Sequence, residues 1–433
     1  MSPVHPSRPA SWSLPLLFAS GLLVSCGGAQ SSSGPSTLIA GISIGRNHSC
    51  AAMADGSVRC WGSGESGQLG YGNAESVGGE GGVADAGVVA LSGRIASIDT
   101  GDDFTCAVND AGQVRCWGTN RFGQLGLANT NPVGIREVPS QVAPISLSAT
   151  ATAVTAGQAH ACALTTAGDI ICWGANDYGQ LGYGHTRTLG DDQGERPDTW
   201  GAVDLGGRAT AVSAGAKHTC ALLDDGGVAC WGRGDAGQLG RGNRDNWGDA
   251  AGETPRAAGR VSLGGRAVAV SAGEMHTCAV LADGSARCWG YGWNGRLGTG
   301  STASLGDAAP VNSVPALRFP SPVTSIAAGD QHTCVTLTSG QFSCFGRGTG
   351  GRLGRGNELD AGGAVRAEAM PLGQLGPALL AERTSVGADR SCFVAQGSAY
   401  CFGNNATLRL LGGGIAGELV GDKPGEAPVR VAF

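Results

Sequence analysis

The chain has 433 residues, of which 77 are Gly, 18 Pro and 15 Cys, while only 15% are charged and 5% aromatic. That Gly content, against a usual ~7%, excludes a helical bundle, because each Gly inside a helix costs ~1 kcal/mol relative to Ala. Collagen is excluded because Gly does not recur at every third position, and the length exceeds the ~250–300 residues at which a single core stops growing. The net charge of −6 and the lack of any Lys/Arg run leave no basic stripe to track phosphates, which argues against nucleic acid as a partner.

In chain order, residues 1–25 read as a signal peptide, with Arg8 in the n-region and an apolar run from Leu14 to Val24 that is too short to span a bilayer. The run ends in Leu23-Val24-Ser25-Cys26, which resembles the bacterial lipobox. That resemblance implies cleavage before Cys26 and acylation of Cys26; an ordinary signal peptide cut elsewhere, with Cys26 free, is the alternative. Residues 26–37 are small and polar, as a flexible tether should be. The protein is therefore expected to be exported and held at the outer membrane or cell surface by its lipid alone.

From residue 38 to 433 the chain repeats. Cys-Trp-Gly begins at Cys60, Cys116, Cys172, Cys230 and Cys288, and Cys344 and Cys401 carry Phe in place of Trp. The period is about 57 residues, and so regular a period marks a repeat architecture. A second Cys precedes each of these, at Cys50, Cys106, Cys162, Cys220, Cys278, Cys334 and Cys392, and a Gly precedes that one, from Gly45 to Gly387. Gly-Gln-Leu-Gly follows in the first four units and Gly-Arg-Leu-Gly in the next two. In the second unit, residues 95–99 predict strand A, 104–108 strand B, 113–117 strand C, and about 142–147 strand D, each bounded by Gly or Asp-Gly. The expected fold is all-β, a seven-bladed propeller with four antiparallel strands per blade; a linear solenoid would need polar caps at both ends.

The unit Ala-Gly-x-x-His-Thr-Cys-Ala…Asp-Gly…Cys-Trp-Gly…Gly-Gln-Leu-Gly, plain at Ala214–Gly240 and with Arg for Gln at Ala272–Gly298, resembles the repeat of the regulator of chromosome condensation family. The resemblance implies the propeller. It also offers nucleotide exchange on a small GTPase as one function, which export of the chain would oppose.

In the first hairpin Cys50 and Cys60 are symmetric about Asp55, so a turn at Ala54-Asp55-Gly56 places them opposite each other across antiparallel strands at ~4.5 Å between Cα atoms, within reach of a disulfide. Seven intrablade bridges are expected: Cys50–Cys60, Cys106–Cys116, Cys162–Cys172, Cys220–Cys230, Cys278–Cys288, Cys334–Cys344 and Cys392–Cys401. The seventh pair, one residue closer, needs a two-residue Gln396-Gly397 turn. Metal binding favours closer Cys spacing, and no metal or cofactor is expected. His48, His160, His218, His276 and His332 occupy one repeat position, with Phe104 and Arg390 in the other two units; each His is expected to hydrogen-bond within its own blade. No nucleophile elbow, zinc helix or phosphate loop is present, so no catalytic residue is assigned. A carbohydrate-active propeller would need carboxylates converging in the ring.

Two sets of positions vary between units: the pair after each strand-A Gly, and the stretch after Cys-Trp-Gly. In a four-stranded meander both fall on one face, opposite the uniform Asp-Gly turns. Arg121, Phe122, Asp177, Tyr178, Arg233, Tyr291 and Trp293 are the candidate binding residues there, because aromatic and Arg side chains are the usual interface anchors. The expectation is a monomeric scaffold with a protein or glycan partner.

Overall fold

The computed structural model describes residues 37–78, 82–405, 411–412 and 418–433; Cys26 and the expected signal peptide lie outside them. The first blade is a meander of β1 (Ile39–Ile44), β2 (His48–Met53) and β3 (Val58–Gly62), paired in that order. The same sheet recurs six times, and the last is widened by Leu419–Val420 and Val429–Arg430, which both pair with Ser398–Asn404. Predicted strands A, B and C fall within one residue of those found at Ile95–Thr100, Phe104–Asn109 and Val114–Gly118. The predicted fourth strand does not form as a strand. Its place is taken by single bridges such as Gly62–Val77 and Gly118–Val133, and Ile145 N–H reaches the Val114 carbonyl at 2.9 Å. Pro144 in that segment has no N–H to donate, and the outer edge faces solvent, so a ladder is not sustained.

The seven sheets close into a ring. A Cβ placed on Gly45 would stand 2.4 Å from the Gly101 carbonyl oxygen, and the series continues blade by blade until Gly387 meets the Gly45 oxygen at 2.5 Å. Only Gly allows inner strands to approach so closely. Two residues before six of these Gly, all but Gly329 with its Ala327, a side chain accepts from the next inner strand. Ala214 N–H donates to Thr155 Oγ1 at 2.9 Å, Ala272 N–H to Ser213 Oγ at 3.0 Å, and Ile44 N–H to Ser385 Oγ at 3.1 Å across the closure.

The middle strands are buried on both sides, and their side chains lock neighbouring blades. Here the expected intrablade role of the His series is corrected. His48 Nε2–H donates to Thr105 Oγ1 of the next blade at 2.8 Å, and Thr105 in turn donates to the Gln68 carbonyl at 2.9 Å. Since the hydroxyl proton is committed to that carbonyl, the ring must be the donor, which sets the Nε2–H tautomer. The same latch joins His160 to Thr219, His218 to Thr277, His276 to Thr333 and His332 to Ser391. Being at the end of its strand, the imidazole points sideways, so its partner lies next door. Where Phe104 replaces His, Ala161 replaces the hydroxyl partner. Trp Nε1–H adds a second grip: Trp117 holds the Gln68 carbonyl at 3.0 Å and Trp231 the Gln180 carbonyl at 2.9 Å.

Arg390 closes the ring. Fully buried, it donates to the carbonyls of Arg46, Gly45 and His48 at 3.0, 3.1 and 2.8 Å and lies against Ser49 Oγ. Arg390→Ala is expected to cost ~3–5 kcal/mol, because buried acceptors lose a charged donor and Asp389 loses its ion-pair partner. A thermal midpoint within a degree of wild type would refute that role.

All seven Cys pairs are joined within their blades, with Cα atoms 4.0–4.1 Å apart. The seventh uses the Gln396-Gly397 turn, both residues at positive φ, with Ala395 facing Ser398.

Candidate binding face

The A–B and C–D connections share one face. In every blade the first residue after Cys-Trp-Gly or Cys-Phe-Gly donates its N–H to the A–B connection: Ser63 to Asn47, Arg233 to Lys217, Tyr291 to Met275, Arg347 to Gln331. The Asp-Gly turns sit at the other end, where Ile95 N–H meets the Gly56 carbonyl at 2.9 Å.

Inner strands line an axial channel of about 710 Å³. Across its mouth on the loop face, Arg46 pairs with Asp102 at 3.2 Å and with Asp330 at 3.4 Å, and so ties the first blade to the second and the sixth. Burial pushes the Asp102 carboxyl up to about 6, against the opposing effect of Arg46. Burial also raises Asp330 and Glu274. Inside the channel Asp99 accepts from Ser43 Oγ at 2.7 Å, Thr155 Oγ1 at 3.0 Å and Ala156 N–H at 2.9 Å, and is raised by burial all the same.

Of the residues singled out by sequence, Tyr178 and Arg233 come together. The Arg233 guanidinium lies 5.5 Å and the Lys217 ammonium 5.0 Å from the Tyr178 ring centre. Arg233 is also held at 2.6 Å by Asp235. Tyr291 and Trp293 line a second cleft, of about 510 Å³, with Glu274, Gln331, Arg347 and Asp360. Arg121, Phe122 and Asp177 are exposed, and Arg121 and Phe122 join neither group among the described side-chain contacts.

That cleft arises from one change of residue. In the first four blades the Gln of Gly-Gln-Leu-Gly accepts the N–H two residues before it, as Gln124 Oε1 does from Phe122 and Gln180 Oε1 from Tyr178, both at 2.9 Å. In the fifth and sixth blades this residue is Arg296 or Arg352, which has no acceptor. The contact inverts: Arg296 Nε donates to the Trp293 carbonyl at 3.1 Å and Arg352 Nε to the Thr349 carbonyl at 2.7 Å. Turning that carbonyl inward flips the peptide and forces positive φ on the next residue. Asn294 stands there at 62° and Gly350 at 78°, two residue types that tolerate the left-handed region. Arg296 continues to the Asp330 carbonyl at 2.7 Å, with its guanidinium 5.1 Å from the Tyr291 ring centre. Trp293 is left 59% exposed, with no other ring or cation against it among the described residues. Sequence reasoning missed Arg296 and Asp360; the signal was the shift from Gln to Arg in the repeat motif.

A family model described as the regulator of chromosome condensation (RCC1) repeat matches residues 111–164, 167–222, 225–280 and 283–336. A second model of the same repeat matches six segments from 39–68 to 323–352. The ultraviolet-B receptor UVR8 of Arabidopsis thaliana is 32% identical over 321 residues, 74% of this chain and 67% of that protein. The human E3 ubiquitin-protein ligase HERC2 is 30% identical over 312 residues, but the chain spans only 6% of its length. Among solved structures, yeast RCC1 (Prp20) bound to Kap60 gives a TM-score of 0.65 at 21% identity, over 95% of this chain and 91% of that one. Human WBSCR16 gives 0.64 at 22% identity, over 86% and 93%. With its repeats matched from the first blade to the sixth, the chain belongs to the RCC1 repeat family.

Proposed function

We propose that the protein is an exported, lipid-anchored binding scaffold that takes a protein or glycan partner on its A–B and C–D loop face. The observation that carries the reading is the concentration there of exposed or half-buried aromatic and Arg side chains, Phe122, Tyr178, Arg233, Tyr291 and Trp293, on a scaffold whose repeated positions are taken up by blade-to-blade locks. Rigid support for varied loops is how binding faces are built. The complex of Prp20 with Kap60 supports a propeller of this kind engaging a macromolecule. Anchoring rests on Cys26 and is tested by detergent-phase partitioning, which Cys26→Ala should abolish.

The binding face is tested by capture from envelope fractions. Replacing Phe122, Tyr178 and Trp293 together with Ala should weaken capture about thirtyfold, the equivalent of ~2 kcal/mol for an anchor set, with the melting profile preserved. Asp55→Asn and Asp283→Asn lie in the turns of the opposite face, where Asp55 accepts from Ser57 and Asp283 from Ser285 and Arg318. These should leave capture unchanged. Unchanged capture in the triple variant, with loss in the turn variants, would move the site to the other face.

A further inference from the structure

We propose that the cleft between the fifth and sixth blades is a subsite for an uncharged saccharide. The inference rests on the loop-face reading and names the ligand class for one part of that face.

Three features select this chemistry. The first is the stacking surface. Trp293 is 59% exposed at the cleft rim, held there by the inverted contact with Arg296 rather than by packing of its own ring. The Arg296 guanidinium lies over the Tyr291 ring, with no second ring or cation against it among the described residues. An open indole beside a polar wall suits a ligand with an apolar face and polar edges, as a pyranose has.

The second is the set of hydrogen-bonding groups. Arg347 Nη1 is spent on Gln331 Oε1 at 2.6 Å, which orients the Gln331 amide nitrogen and leaves Arg347 Nη2 to donate. The Glu274 carboxylate lines the same cleft and accepts no hydrogen bond from any described side chain. Two fixed donors and an open carboxylate acceptor around an aromatic plane match vicinal hydroxyls, each of which donates and accepts.

The third is charge. Two cations, Arg296 and Arg347, face two carboxylates, Glu274 and Asp360, in one cleft of about 510 Å³. A phosphate or carboxylate ligand would meet Glu274, and a cation would meet Arg347. Asp360 is fixed by Asn294 Nδ2 and by the Gly348 N–H at 2.9 Å, so it acts through the shape of the loop that carries Trp293. A neutral polyol is the ligand class that this balanced lining does not penalise.

The test uses the full chain on an array of immobilised uncharged oligosaccharides (glucans, mannans, galactans and N-acetylglucosamine oligomers), with polygalacturonate as the charged control. At least one uncharged oligomer should bind. In solution titrations with that oligomer, Trp293→Ala should raise Kd about tenfold or more, while Trp293→Phe, which keeps a stacking plane, should stay within about threefold. Arg296→Gln should restore the loop of the first four blades and also lose about tenfold. Asp283→Asn, in a turn of the opposite face, should have no effect. Binding confined to polygalacturonate, no glycan bound, or equal affinity in Trp293→Ala would each overturn the proposal. If no glycan binds but capture of an envelope protein is lost in the aromatic triple variant, the subsite falls and the loop-face reading stands.

Discussion

Full reduction of the seven disulfides is expected to unfold the propeller at temperatures where the oxidised protein stays folded. Each bridge closes a loop of about 11 residues, worth up to ~3 kcal/mol in the chain-entropy model. A hairpin already restricts the unfolded chain locally, so each bridge contributes less than that. Even at ~1 kcal/mol apiece, seven bridges amount to a large part of the ~5–15 kcal/mol by which a domain is stable. Every bridged Cys is at most 4% exposed, so a reductant reaches the sulfurs only when a blade opens. Mild reductant on the native protein should therefore leave the bridges intact, whereas reduction after brief unfolding should prevent refolding at 37 °C. The measurement is a thermal melt paired with a thiol count. A fully reduced protein with an unshifted midpoint would show that the blade interfaces alone hold the fold.

Acid should destabilise the fold through the same latches that align it. Burial lowers His48, His218 and His332 to about 3 and His160 to about 4, and holds His276 well below its ordinary value. Between those values and 6.5 the unfolded chain binds protons that the folded chain refuses. The stability contributed by neutral His is therefore complete above pH 6.5 and is lost as pH falls below it. The slope approaches ~1.4 kcal/mol per pH unit for each His. Asp102, Asp330, Glu274 and Asp99, all raised by burial, act in the opposite sense, because their folded forms bind the proton more tightly. Glu195 and Glu253 are raised by burial as well, but the five imidazoles, each at 0% exposure, are the more deeply enclosed, so the urea midpoint should fall from pH 7 to pH 4.5. Replacing one latch with the Phe104–Ala161 pair found between the second and third blades, His218→Phe with Thr277→Ala, should shallow that slope by about one His. A midpoint that holds steady or rises on acidification would defeat this account.

The candidate site was only partly legible in the chain. Tyr291 and Trp293 stood out because the repeat does not specify them, and parity of the strands placed them on the face they occupy. Arg296 looked like a conservative variant of a motif Gln, yet it exchanges an acceptor for a donor and turns a peptide over. That consequence shows only in the inward-turned Trp293 carbonyl and the positive φ of Asn294. Likewise Arg46 was one variable residue among many until the ring brought Asp102 and Asp330 within reach of it.

What the sequence determined by itself was whatever acts over a few residues or recurs with the period. The hairpins follow from turns that each end in a Gly at positive φ, the facing Cys from their symmetry about those turns, the number of blades from the repeat, and the shared loop face from strand parity. What only the tertiary structure decided was whatever acts between blades. The His series reaches next door because the end of a middle strand points at the neighbouring sheet. In the second blade the fourth strand shrinks to isolated contacts with the third because Pro144 has no N–H to continue a ladder. Arg390 closes the ring because its side chain spans a junction between residues some 340 positions apart, and no local pattern encodes a distance that only the closed circle makes short.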